Sequence, residues 1–158
     1  MFILIVLAVA ASGCGEEKKA VDTGDEAPDP CDLVTKADIE TIMGEPAARQ
    51  QKEASGGKSC SYTSVQQPPR TAELTVIKPC SMSDFMELAD IRSELVPGIG
   101  MHAYWDKAVL SVHSSSSVCI IVSGGGAPRG STDDQTAKAN ALAVANMIME
   151  KMGIQELQ

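Results

Sequence analysis

The chain has 158 residues, a formal net charge of −8 and only 3% aromatic side chains. That balance excludes nucleic acid as a partner, because an acidic surface gains nothing by neutralising phosphates and so few aromatics offer no stacking platform for bases. The length suffices for one domain with a real core.

Phe2 to Ala11 is a near-continuous apolar run, too short to cross a hydrocarbon layer as a helix, which takes about 20 residues. It suits the apolar region of a signal peptide, about 7–15 residues long and followed by small ones. Ala11-Ser12-Gly13-Cys14 then places small residues directly before a cysteine, the pattern read by lipoprotein signal peptidase and its partner acyltransferase. No Lys or Arg precedes the run, and Ala11 stands where leucine is commoner. The expectation is a signal peptide over residues 1–13 and a lipid-bearing Cys14. That places the chain in a bacterial cell envelope, anchored to a membrane on the extracytoplasmic side. Ordinary secretion, with cleavage after Ala10 or Ser12, is the alternative and would leave Cys14 as a stray thiol.

The five cysteines are Cys14, Cys31, Cys60, Cys80 and Cys119. An odd count in an exported protein leaves one unexplained, and lipidation of Cys14 leaves an even set where disulfides persist. Several acyl chains on Cys14 would anchor stably in membrane lipid, each buried methylene contributing about 0.8 kcal/mol. Residues 15–30 follow with six acids against two lysines, a net −4, leaving −4 for residues 31–158. With Val21 as its only large apolar side chain, this segment cannot repay its ordering entropy and reads as a disordered acidic tether. The domain organisation expected is therefore a lipidated Cys14 with its tether over 14–30 and a single domain over 31–158.

Asp32 to Met43 reads as a first helix, with a Thr35-x-x-Asp38 cap, Leu33, Val34, Ile39, Ile42 and Met43 inward, and Gly44 closing it. Residues 45–58 are a polar connection with room for a short edge strand. Ser59–Val65 and Thr71–Lys78 are strands around a Gln66–Pro69 turn, and Leu74 and Val76 alternate with Glu73, Thr75 and Ile77. Ser83 or Asp84 caps a second helix to about Leu95, with Phe85, Met86, Leu88, Ala89 and Ile91 as its inner stripe. After Pro97–Gly100, strands follow at Ala103–Trp105, Ala108–His113 and Ser117–Ser123, the first two joined by an Asp106-Lys107 turn. Val118–Val122 is apolar on both sides and β-branched, the signature of a central strand. Thr132–Gln135 is a capping box for a last helix whose stripe is Ala137, Ala141, Leu142, Val144, Ala145, Ile148, Met149 and Met152, ended by Gly153. The order α-β-β-α-β-β-β-α predicts an α+β fold, an antiparallel sheet with about three helices packed on one face.

The run Asp29-Pro30-Cys31-Asp32-Leu33-Val34-Thr35-Lys36-Ala37-Asp38-Ile39, with Gly44, Cys60-Ser61-Tyr62 and Val96-Pro97-Gly98-Ile99-Gly100-Met101-His102-Ala103-Tyr104-Trp105, resembles small bacterial envelope lipoproteins of the domain-of-unknown-function type. Those carry a Cys-x-Leu-x-Thr opening, a Cys-x-Tyr strand and a Pro-Gly-x-Gly element. Met101 and His102 stand where those families commonly have an acid. The resemblance spans nearly all of 29–152 and implies a Cys31–Cys60 bridge in a single α+β domain. Cys80 and Cys119 then pair with each other or remain two buried thiols. No catalytic residue is carried across.

Other motifs point more economically to structure than to chemistry. Gly98-Ile99-Gly100-Met101-His102-Ala103 follows a helix and precedes a strand, the reverse of a dinucleotide fingerprint. His102 and His113 lie on different strands with no paired ligand at short spacing, so no metal site is expected, and there is no Cys-x-x-Cys. Ser114–Ser117 lacks a nucleophile elbow and reads as a turn, while Gly124–Gly126 lacks the Lys-Ser/Thr of a P-loop. Tyr104 and Trp105 are adjacent and point to opposite faces of a strand, so one belongs to the core and the other to a contact surface. The expected function is a non-enzymatic lipoprotein domain that binds an envelope protein or other component, with no cofactor. The alternative is a carrier of a small apolar ligand or lipid held between sheet and helices, with methionines lining the site. An enzyme built on His102 or His113 ranks third.

Overall fold

A computed structural model describes residues 26–44, 46–54, 57–65, 67, 69–89, 93–124 and 134–154. The expected signal peptide, Cys14, residues 15–25 of the expected tether, Ile91 and the Thr132-Asp133 part of the expected last capping box lie outside those residues.

The chain enters through a one-turn helix, α1 (Pro30–Leu33), because Asp29 caps it by accepting from the Cys31 amide at 2.8 Å and Pro30 occupies the first turn. α2 (Lys36–Met43) is a separate helix, with a reciprocal box between Thr35 and Asp38. The single helix expected from Asp32 is thus two. Thr35 can cap only from an extended backbone, so the same side chain that starts α2 ends continuity with α1. Asp38 sits well below the usual carboxylate range. The Thr35 backbone N–H is the main cause, with the Thr35 hydroxyl and the Lys151 ammonium at 3.1 Å adding to it. Its charge therefore also joins α2 to the far end of the last helix.

Seven strands form one antiparallel sheet in the order β1-β2-β3-β7-β6-β5-β4. They are β1 (Ala47–Ala54), β2 (Gly57–Ser64), β3 (Thr71–Ile77), β4 (Glu94–Leu95), β5 (His102–Asp106), β6 (Val109–His113) and β7 (Cys119–Ser123). The polar 45–58 connection contains an eight-residue edge strand, longer than its composition suggests, because β1 pairs with β2 along its whole length. β3 leaves the sheet through α3 (Met82–Leu88), the chain re-enters at the far edge as β4, and β5, β6 and β7 return inward to meet β3. β7 is accordingly central, as its apolar run predicts.

α3 is shorter than expected. Ser81 caps it in a second reciprocal box with Asp84, and it ends at Ala89. Glu94 and Leu95 pair with Trp105 and Tyr104 instead of extending the helix, which supplies ladder partners to the edge of β5. The extended backbone favoured before Pro97 suits that outcome.

Alternation along the strands divides the side chains between two faces. On one, Leu74, Val76, Leu110, Val112, Ile120, Val122, Ala103 and Trp105 pack with Leu33, Val34, Ile39 and Met43 and with Ala141, Ala145 and Ile148 of α4 (Asp134–Lys151). On the other, Cys119, Ile77 and Tyr104 meet Phe85 and Ala89 of α3 in a small second cluster. Three helices, α1, α2 and α4, share the main face, while α3 lies on the opposite one. The expectation of all helices on one face is corrected in that respect.

Both disulfides are formed, Cys31–Cys60 with Cα atoms 5.3 Å apart and Cys80–Cys119 at 5.6 Å. Each ties a helix start to a strand, on opposite faces. Tyr62 reinforces the first, its buried hydroxyl donating to the Val34 carbonyl. Burial pushes the Tyr62 phenol up to about 12.

The β5–β6 hairpin turns through Lys107 (φ 42°) and Ala108 (φ 74°). Two positive φ values in a two-residue loop define a type I′ turn, which Asn-Gly fills without strain. Ala108→Gly is expected to raise stability by about 0.5–1 kcal/mol in urea unfolding; a loss would contradict the strained-turn assignment. Replacing Cys31 and Cys60 together with Ala is expected to cost about 3–4 kcal/mol for a loop of this length. Calorimetry should then show melting lowered by about 10–15 °C.

Candidate functional site

Among the described residues, α3 covers only part of the sheet's second face. Beside the end of α3, a pocket of about 140 Å³ opens between helix and sheet, lined by Leu88, Ala89, Ser93, Tyr104, Asp106, Val109 and Ser111. Its floor is two cross-strand pairs, Tyr104 opposite Ser111 and Asp106 opposite Val109. Its wall is the last turn and cap of α3. Phe85, one turn earlier, is fully buried and lies outside the lining, whereas the small Ala89 belongs to it.

The pocket's polar lining is Ser93, Tyr104, Asp106 and Ser111. Ser111 is 5% exposed and presents its hydroxyl at the pocket floor. Asp106 makes no ion pair among the described residues, and neither does its neighbour Lys107, which is exposed. Tyr104 is half-buried, its ring 5.8 Å from Phe85 and its phenol oxygen without a hydrogen bond among the described residues. Three exposed apolar side chains belong to the same neighbourhood by chain position. Met86 (43% exposed) and Leu88 (43%) lie on α3, and Leu95 (60%) stands directly opposite Tyr104 on β4.

The adjacent aromatics divide as strand geometry requires. Trp105 is buried in the main core, and Tyr104 turns to the pocket. Met86 and Leu88, expected on the inner stripe of α3, are each 43% exposed, because Phe85 and Ala89 at i and i+4 already cover the small cluster beneath, and Leu88 edges the pocket.

His102 and His113 are brought directly opposite each other on β5 and β6. His113 is 7% exposed, with its ring 5.4 Å from Phe85. Its Nε2 lies 3.2 Å from the Cys80 carbonyl oxygen. A carbonyl only accepts, so Nε2 carries the proton. Nδ1 is left without a partner among the described residues. Among those residues no third His, Cys, Asp or Glu joins the pair, and both nearby cysteines are consumed by their disulfide. Ser114–Ser117 connects β6 to β7, the Ser114 amide donating to the Val118 carbonyl at 2.9 Å. Gly100 (φ 59°) is a packing requirement, since a Cβ there would lie 2.7 Å from the His113 carbonyl oxygen. Gly125 and Gly126 lie outside the described residues.

Sequence reasoning identified Tyr104 and passed over Asp106, Ser111, Val109, Leu88 and Ala89 as partners. Asp106 reads as a turn residue and Ser111 as one polar residue in an apolar strand; only pairing of β5 with β6 sets them side by side. Comparison with protein-family models, with curated proteins and with solved structures finds no match to this chain.

The two aromatics should separate cleanly in denaturant unfolding. Trp105→Ala is expected to cost about 3–5 kcal/mol as a core deletion, whereas Tyr104→Ala should cost less than about 1.5 kcal/mol, near the worth of one aromatic contact. Equal losses would mean that Tyr104 is a core residue.

Proposed function

We propose that this chain is a lipid-anchored protein of the bacterial cell envelope whose α+β domain serves in recognition and not in catalysis. The observation that carries the reading is the cysteine pattern. Cys31, Cys60, Cys80 and Cys119 are joined within the domain as two disulfides. The fifth cysteine is Cys14, which ends the apolar and small-residue run of the N-terminus. Two internal disulfides suit an oxidising, extracytoplasmic compartment. A single remaining cysteine in that sequence context suits acylation. On this reading residues 1–13 are removed, residues 14–30 carry the lipid and span the gap to the domain, and the domain extends from 31 to 158.

The recognition surface is the partly covered second face of the sheet, around Tyr104. Apolar side chains exposed there gain more from a partner than from water, and the polar Ser111 and Asp106 lie beside them. The main face supports the same choice. The space between the sheet and α1, α2 and α4 is filled by fully buried side chains such as Leu74, Leu110, Ile120 and Ile148, which weighs against an apolar ligand carried there.

Cys14→Ala is expected to move the protein from the membrane fraction to the soluble extracytoplasmic fraction and to abolish metabolic labelling with a fatty acid. Unchanged fractionation would overturn the anchor. A photo-crosslinking residue in place of Leu95 should capture one recurrent envelope component in intact cells, and the same residue in place of the distant, exposed Val65 should not. Capture from Val65 alone would overturn the choice of face.

A further inference from the structure

We propose that the pocket beside the end of α3 binds a protonated primary amine carried on a short apolar stem. The proposal rests on the reading of the sheet's second face as the recognition surface, and it names the chemistry recognised there.

The pocket's groups point to one ligand class. Asp106 is an anion with no cation paired to it among the described residues, and Lys107, next in the chain, leaves it free. Ser111 supplies a hydroxyl at the pocket floor, and Tyr104 a second hydroxyl and an aromatic face. An ammonium group offers three donors and no acceptor. It matches a carboxylate and two hydroxyl oxygens, and it is attracted to the face of an aromatic ring. Among the described residues that line the pocket none is cationic, and the net charge of −8 opposes an anion's approach. Leu88, Ala89 and Val109 form the apolar remainder, suited to methylenes behind the charged head.

Size narrows the class further. A pocket of about 140 Å³ holds about four or five waters' share of liquid volume, far below the about 300–1,000 Å³ of sites for drug-sized ligands. It accepts a head group with a few carbons. Two sources present that chemistry: a free short alkylamine, or the end of a lysine side chain on a partner protein.

Full-length protein in detergent, titrated with n-butylammonium and followed by amide NMR shifts, tests the proposal. Saturable shifts are expected at Tyr104, Asp106 and Ser111, with Kd on the order of 1 mM for so small a ligand. Butanol and butyrate should produce none that saturate. Asp106→Asn should weaken binding by about tenfold or more through loss of a charge-assisted contact, and Ser111→Ala by less, both with unchanged melting. Nα-acetyl-lysine amide distinguishes the sources, since binding tighter than butylammonium assigns the site to a partner's lysine and weaker binding assigns it to a free amine. Equal binding of butanol, or Asp106→Asn without effect, would overturn the proposal. So would shifts confined to other residues. If the amine fails while crosslinking from Leu95 still captures a component, the recognition face stands and only its chemistry is wrong. If the amine binds but crosslinking comes from Val65 alone, the face is wrong and the pocket remains.

Discussion

A seven-stranded sheet has two faces, and among the described residues the helices cover one of them. α1, α2 and α4 close the main face completely, leaving Leu74, Val76, Leu110, Val112, Ile120 and Val122 without exposure. The second face receives a helix of seven residues, α3. Two turns of helix shield little more than the corner formed by Ile77, Cys119, His113 and part of Tyr104. The pocket and the exposure of Met86 and Leu88 follow from that short cover.

Covalent bonds compensate where packing is thin. The first disulfide holds α1, a single turn that would not persist alone, against β2 with help from Tyr62. The second holds the start of α3 against the central strand, beneath a cluster of a few side chains. Neither helix has the buried area to hold its place by hydrophobic contact alone. The more extensively buried α4 carries no disulfide and is held by its apolar stripe and by Lys151 on Asp38. The Cys80 carbonyl also fixes the tautomer of His113, so the same crosslinked corner determines how the one buried histidine of the domain is oriented.

The stability of the frame and the openness of the second face are compatible because they lie on opposite sides of the same strands. Along β5, Ala103 and Trp105 belong to the core while Tyr104 and Asp106 belong to the pocket. Along β6, Leu110 and Val112 alternate with Val109 and Ser111 in the same way. Residues that line the pocket can therefore change with little effect on those that hold the fold.

Periodicity, capping boxes and cysteine count determined much of this protein from the sequence. The α+β class, the central position of Val118–Val122, the stripe of α4, the Thr35–Asp38 cap and the opposite facing of Tyr104 and Trp105 are local patterns, fixed by neighbours within four residues. The bridge from Cys31 to Cys60 came through family resemblance, and that between Cys80 and Cys119 was open until the strands were placed. The break between α1 and α2, the length of β1, the early end of α3 and the pairing of Glu94-Leu95 with β5 were decided by tertiary structure. Each depends on what a distant strand or helix offers. The pocket belongs to the same category. Asp106 and Ser111 are unremarkable in the chain and come to line one pocket only because β5 pairs with β6 in one register, beside the end of α3.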